Sequence, residues 1–317
     1  MQIHHHIDRF PTLQHAIVTS GTFDGVHIGH HQILQRLKQL AQQHQGETVV
    51  ITFWPHPRIV LEQPVQLLST LEEKADLLKQ NGVDHLVVIP FTKEFAQMSP
   101  EDFVQKIYIE AIGTKKLVIG YDHHFGKNRA GNFDYLHERL RQYPFTIEEI
   151  SRQDIDNIGV SSTKIRTSLL TGEIATAHQY LGRAYSFTGE VVHGNKIGRT
   201  LGFPTANIHV KEHYKLIPAE GIYAVYIQLA THTYQGMLYI GTRPTIENTL
   251  QQRIEVNIFD FEEDIYGKTA TIILFAYIRG DLKLDGLDAL KKQLQEDQAA
   301  TRALFASAKR DGLLKTS

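Results

Sequence analysis

Residues Gly21–His30 read GTFDGVHIGH and lie between two runs of opposite character. Ahead of them, Ala16-Ile17-Val18 is a short apolar run; behind them, Ile33, Leu34, Leu37 and Leu40 recur at helical spacing. The stretch is therefore a strand-to-helix turn, the unit from which parallel sheets are built. A glycine-rich turn of this kind aims backbone N–H groups at an anion. Gly21 and Gly25 permit the turn, and Gly29 lets a ligand approach the first helical turn. His27 and His30, three residues apart, project toward one space near the helix start. Imidazoles beside phosphate oxygens donate hydrogen bonds and protonate more readily there. The set suits a nucleoside triphosphate attacked at its α-phosphorus while pyrophosphate leaves. Neither the GxGxxG dinucleotide fingerprint nor the GxxxxGK[ST] phosphate loop is present.

Working outward, the first half alternates strand-like and helix-like runs. Ala16–Ser20, Thr48–Phe53, His85–Pro90, Lys116–Tyr121 and Phe145–Ile150 read as strands. His30–Gln45, Leu71–Asn81, Pro100–Ile112 and Phe133–Gln142 read as helices between them, giving a parallel sheet covered on both faces. Ser162–Leu170 and a short run ending near Gly182 add two more helices. After Arg183 the texture changes: Phe187–Val192, Ile222–Leu229, Tyr234–Ile240, Arg253–Phe259 and Ala270–Tyr277 are strands with no helices between them. That is the pattern of a small antiparallel barrel, closed by two helices over Leu287–Asp297 and Thr301–Lys309. The expected boundary lies at Gly182-Arg183, giving domains of residues 1–182 and 183–317.

Bulk composition bounds the partners. The 317 residues carry Lys+Arg 33 against Asp+Glu 35, a net charge of −2, so no basic field calls for nucleic acid. No apolar run approaches the ~18 residues of a membrane span, and the start lacks a signal-peptide order. The chain has no cysteine, which excludes disulfides and thiolate metal sites and points to a reducing compartment. The expectation is a cytoplasmic protein acting on small molecules, without nucleic-acid or membrane partners, as a monomer or weak homo-oligomer. The three histidines of MQIHHH read as a polar strand or loop, with a metal site or tag remnant as the other readings.

Two further clusters carry chemistry. Ser161-Ser162-Thr163-Lys164-Ile165-Arg166 opens a helix with three hydroxyls and two cations, a second phosphate clamp; an ordinary N-cap accounts for one hydroxyl but not for the cluster. Farther on, Gly194, Lys196, Gly198, Arg199, Gly202, Phe203 and Pro204 lead into Thr205-Ala206-Asn207. Gly198 and Gly202 permit close backbone approach, and Lys196 and Arg199 lie near any phosphate held there. Thr205 and Asn207 offer neutral oxygens on one side of an extended segment. Such ligands suit Mg²⁺ that is held mostly by nucleotide phosphates and water; a plain loop is the other reading. Glu255 alternates with Ile254 and Val256 and shares a strand face with Asn257. Its carboxylate is either a base for a substrate hydroxyl or an exposed strand residue.

The literal His27-Ile28-Gly29-His30 is the signature of the nucleotidyltransferase superfamily, and the chain as a whole resembles the bacterial bifunctional riboflavin kinase/FMN adenylyltransferases, or FAD synthetases. The first half resembles them at GTFDGVHIGHHQIL, at Phe53-Trp54-Pro55-His56-Pro57, at Gly120–Gly126 with Arg129 and Gly131, and at SSTKIR. The second half does so at GRTLGFPTAN, Gly221-Ile222-Tyr223, Ile240–Thr245, and from Glu255 through Asp264-Ile265-Tyr266-Gly267. The resemblance implies a Rossmann-like nucleotidyltransferase domain followed by a riboflavin kinase-like barrel. It implies ATP against Gly21, Thr22, Phe23, Asp24, Gly25, Gly29 and the two histidines. It places FMN in a neighbouring groove with Asp122, Phe125, Gly126 and Arg129. In the kinase half it makes Thr205 and Asn207 the Mg²⁺ ligands with ATP, Glu255 the catalytic base, and Arg279 part of the flavin side. Here Tyr239 stands where an asparagine is usual, and Arg279–Leu284 is a loose version of the family's flavin-side segment. The implied activity is phosphorylation of riboflavin to FMN, then adenylylation of FMN to FAD. One silent module, or a non-catalytic flavin-nucleotide sensor on the same fold, is the alternative.

Overall fold

The computed structural model describes residues 1–150, 159–194, 198, 201–244 and 250–310. It divides into two compact units, Met1–Ser162 and Thr163–Ser317. The helices over 162–170 and 174–181 thus go with the second unit, although the change in sequence texture falls after them.

The first unit is a parallel six-stranded sheet. Its strands are β1 (Gln2–His4), β2 (Ala16–Ser20), β3 (Glu47–Trp54), β4 (His85–Pro90), β5 (Thr114–Gly120) and β6 (Thr146–Ile150). Their order is β1-β4-β3-β2-β5-β6. β2 is buried along its whole length, which is why it reads as a continuous apolar run rather than an alternating one. Helix α1 (Ile28–His44) lays Ile33, Leu34, Leu37 and Leu40 on one face of the sheet, each such side chain contributing about 1.5–3 kcal/mol on burial. The short helix α2 (Pro57–Val60) follows β3, and α3 (Leu71–Gln80) starts at a capping box between Thr70 and Glu73. On the other face α4 (Pro100–Phe103) continues into a π-helical segment, Val104–Ala111, and α5 (Phe133–Arg139) precedes β6. Phe103, Tyr108 and Phe125 fill that side. The chain runs outward from β2 in both directions across the sheet, so the crevice at the carboxyl ends of β2 and β5 is its topological switch point.

The second unit opens with α6 (Ser162–Leu170) and α7 (Ile174–Leu181) and continues as a closed antiparallel barrel, ordered β10-β11-β8-β7-β12-β9. The strands are β7 (Ser186–Val192), β8 (Ala206–His209), β9 (Gly221–Leu229), β10 (His232–Pro244), β11 (Leu250–Ile258) and β12 (Thr269–Arg279). Inside the barrel lie Leu238, Ile240, Val256 and Ile272, all fully buried. The two closing helices expected from the sequence are one, α8 (Gly286–Arg310); the intervening Gln298-Ala299-Ala300 are good helix formers and give it no reason to break. Phe305 and Leu294 of α8 pack on Ile222, Met237 and Phe275 of the barrel's outer face.

A buried ion pair fixes that helix. Asp297, 2% exposed, accepts from Arg279 Nε at 2.8 Å and Nη2 at 2.6 Å, and from Gln293 Nε2 at 3.0 Å. Arg279→Ala leaves the carboxylate buried without its cation, at a cost of about 3–5 kcal/mol. The expected result is a lower denaturant midpoint for loss of the second unit's fold, followed by near-UV circular dichroism; an unchanged midpoint means solvent already compensates Asp297.

Two candidate phosphate-transfer sites

In the first unit the turn after β2 is held by strain and by Asp24 together. Phe23, Gly25 and Val26 have φ of 46°, 80° and 38°, a region that non-glycine residues occupy only when their surroundings impose it. Asp24, 3% exposed, imposes it: Oδ1 accepts from Leu68 N at 2.9 Å and Ser69 N at 3.2 Å. Gly25 N donates to Ser69 Oγ at 3.1 Å, and a Cβ on Gly25 would sit 2.8 Å from Leu68. Ser162 Oγ donates to the Asp24 carbonyl at 3.0 Å, which ties the downstream serine cluster to the same turn. Phe23, Asp24 and Gly25, expected as ligand contacts, are buried in the turn, whereas Gly21, Thr22, Ile28 and His30 are half-buried.

His27 is the N-cap of α1, and its ring stacks on His30 at 3.7 Å between centroids and 15° between planes. His27 N donates to His30 Nδ1 at 3.3 Å. Two imidazoles at a helix N-terminus, held by each other and by the backbone, are what the sequence spacing leads one to expect.

The Asp122–Arg129 loop divides differently. Asp122 and Arg129 are exposed, whereas Phe125 is 6% exposed and packs on Phe103 and Tyr108. Phe125 and Gly131 exchange backbone hydrogen bonds of 3.0 Å in both directions. Phe125 thus anchors the loop in the core, and Gly126 turns it with φ 72°. The sequence reading passed over what lies beneath: Ser20 Oγ is 2.6 Å from Tyr108 OH and 3.3 Å from His123 Nε2. Burial pulls the His123 imidazole down to about 4, with the charges of His124 and Arg129 adding, so the ring is neutral at physiological pH. Of the downstream cluster, Ser161 and Thr163 are exposed and Arg166 is half-buried.

In the second unit, strand register brings the predicted residues into one row. Glu255 lies opposite Tyr239 on β10 and opposite Asn207 on β8, so the three side chains share the barrel's outer face. Thr205 Oγ1 donates to Glu255 Oε2 at 3.4 Å, and Arg253 Nη2 is ion-paired with Oε1. One carboxylate oxygen is thereby steered by a cation and the other faces the threonine. Asn257, 5% exposed, donates through Nδ2 to Pro204 O at 2.7 Å and fixes the segment carrying Thr205. A cavity of about 540 Å³ opens over this row. Gly198, Phe203 and Thr205 border its polar end; Leu284, Leu287, Leu290 and Leu294 form an apolar wall. Its volume falls in the range of small-molecule sites. Tyr239 OH donates to Asp281 Oδ2 at 3.3 Å across the mouth, and burial, with Asp281 adding, pushes the phenol up to about 12. Arg279 lines the cavity but spends its guanidinium on Asp297. Gly202 is exposed at the turn before Phe203, and Lys196 and Arg199 lie outside the described residues.

Gly194 is needed for space. A Cβ there would lie 2.0 Å from Asn207 Nδ2. Gly194→Ala therefore displaces Asn207 or the backbone, with an overpacking cost of about 1–3 kcal/mol. The expected signature is a lower denaturant midpoint for the second unit; an unchanged midpoint means Asn207 moves aside at no cost.

Comparison with known proteins agrees with this division. A family model described as FAD synthetase matches residues 10–164, and one described as riboflavin kinase matches residues 181–305. A bifunctional riboflavin kinase/FMN adenylyltransferase of Listeria monocytogenes is 40% identical over 92% of this chain and 92% of its own. The protein of the same description from Haemophilus influenzae is 36% identical, over 93% and 96%. A solved chain described as a macrolide-efflux protein from Streptococcus pneumoniae superposes with a TM-score of 0.85 at 31% identity, covering 95% of this chain and 98% of that one. Among the described residues no helix is long and apolar enough to cross a membrane. With a glycine-rich turn carrying His27 and His30 on a parallel sheet, a Thr–Glu–Asn row on a closed barrel and this identity across both, the chain belongs to the bifunctional riboflavin kinase/FMN adenylyltransferase family.

Proposed function

We propose that the chain makes FAD from riboflavin in two ATP-dependent steps, one on each unit. The observation that carries this reading is the meeting of Thr205 and Glu255 in the lining of a cavity with an apolar wall, with Asn207 opposite Glu255 in strand register, on a barrel of a different unit from the His27–His30 turn. In the kinase step, the leucine wall seats the isoalloxazine ring and brings the terminal ribityl hydroxyl to Glu255. Glu255 accepts that proton as the oxygen attacks the γ-phosphorus of ATP and ADP leaves. The hydroxyl of Thr205 and the amide oxygen of Asn207 are neutral oxygen donors, which fit Mg²⁺ held mostly by nucleotide phosphates and water. Bound there with ATP, Mg²⁺ supplies charge neutralisation on the phosphates. Positioning and charge stabilisation account for the rest.

In the adenylyl step, a phosphate oxygen of FMN attacks the α-phosphorus of a second ATP, and the bond to the β-phosphate oxygen breaks to release pyrophosphate. The acceptor is already an anion, so no covalent enzyme intermediate is required. His27, His30 and the first N–H groups of α1 stabilise the charge that develops, and Asp122 and Arg129 belong to the flavin groove. Ser161 and Ser162, at the end of the first unit, act on the phosphates. We place the functional boundary at Gly182-Arg183 and the protein in the reducing cytoplasm, which suits a cysteine-free chain.

Incubation of the full chain with riboflavin and Mg-ATP, with chromatographic separation of products, tests the reading. Sequential appearance of FMN and then FAD is expected. Binding of flavin nucleotides without turnover identifies a sensor instead, and FMN without FAD identifies a silent first module.

A further inference from the structure

Helix α3 places a lysine where its core face calls for an apolar residue. Leu71, Lys74, Ala75 and Leu78 follow i, i+3, i+4, i+7 spacing, and Lys74 is 1% exposed. A buried ammonium is costly unless something nearby requires it. Among the described residues of the first unit no other lysine or arginine is buried, and the buried carboxylate there is Asp24. Burial pulls the Lys74 ammonium down to about 8, and the negative charge of Asp24 opposes the fall. Nζ donates to Thr52 Oγ1 at 3.4 Å and lies 5.8 Å from the centre of the Trp54 ring. Thr52 Oγ1 in turn donates to the Thr22 carbonyl at 3.4 Å. Lys74 therefore meets the strained turn twice, through Thr52 at Thr22 and through charge at Asp24.

We propose that Lys74 is a positioning residue of the adenylyl step, a buried counter-charge to Asp24 that locks the Gly21–Val26 turn and so sets where His27 and His30 stand. The inference rests on the reading of that turn as the site of FMN adenylylation. Asp24, 3% exposed, holds the backbone of residues 68 and 69 against the turn, and Lys74 reaches the same turn through Thr52 and the Thr22 carbonyl; removing one member of a buried pair of opposite charge weakens what the other holds. The left-handed Phe23 and Val26 relax when that clamp weakens, and the first turn of α1 moves with them.

The test uses the full-length chain with both activities measured on each preparation. Lys74→Met keeps the length of the side chain and removes its charge; displacement of the histidines by about 1 Å costs on the order of 10²-fold in rate. FMN adenylylation should fall by that order, while riboflavin phosphorylation stays within twofold of the parent chain. The double variant Asp24→Asn/Lys74→Met removes both charges and should recover most of the lost adenylylation. Packing damage would not be repaired in this way. Adenylylation by Lys74→Met at the parent rate overturns the proposal, as does a double variant no better than the poorer single one or one that fails to fold. His30→Ala run in parallel separates the two readings. If it leaves adenylylation intact, the site is misassigned; if it abolishes adenylylation while Lys74→Met is silent, only the role of Lys74 falls.

Discussion

Glu255→Gln should leave the chain binding riboflavin yet making almost no FMN. The substitution keeps the side chain's volume and its neighbours, Thr205 at 3.4 Å and the Arg253 guanidinium. It removes the ability to take a proton from the ribityl hydroxyl. General-base assistance is worth about 10²–10⁴ in rate, so turnover should drop by that factor. Riboflavin affinity should stay within a few-fold in a fluorescence titration, since the leucines and Tyr239 of the cavity lining are untouched. FMN supplied from outside should still be adenylylated, since His27 and His30 belong to the other unit. A Glu255→Gln chain that phosphorylates riboflavin at the parent rate would make Glu255 an ordinary strand residue and leave the barrel without a base.

His30→Ala should produce the complementary defect. Loss of one preorganised donor to a developing oxyanion costs about 2.7–4 kcal/mol, or 10²–10³ in rate. The change also removes the ring stacked on His27 at 3.7 Å and the acceptor for His27 N, so the second imidazole loses its support. Riboflavin should be converted to FMN at a near-normal rate, and FMN should accumulate with little FAD. The kinase reaction in the same tube is the control for folding. Equal loss of both products points to global damage or a shared ATP site, and undiminished FAD takes His30 out of the chemistry.

How far these assignments could be read from the residues depends on what each residue needs from the rest of the fold. Alternating apolar runs sufficed for the parallel sheet, because β2 and β3 are buried on both faces and α1 carries a regular stripe. β1 and β8 were passed over: three and four residues long, they show no periodicity and exist through pairing with β4 and with β7 and β11. His27, His30, Thr205, Asn207 and Glu255 can be singled out as candidates because spacing and motif place them locally. Phe125 and Arg279, read from the sequence as ligand contacts, also have structural partners. A buried aromatic and a paired guanidinium look identical in sequence to exposed ones, and only the partners, Phe103 and Asp297, reveal the difference. Asn257 acts through Pro204, 53 positions away, and Lys74 through Thr52, 22 positions away, which no local pattern encodes.

The wall that α8 builds has a consequence for the order in which the protein folds. Barrel closure needs β12 to meet β7, some eighty residues later in the chain, and Leu287, Leu290 and Leu294 come later still. As the polypeptide leaves the ribosome, amino-terminal units fold first, so the glycine-rich turn after β2 is complete before the barrel closes. A chain ending before α8 would lack Leu287, Leu290 and Leu294, and with them most of the apolar wall of the cavity.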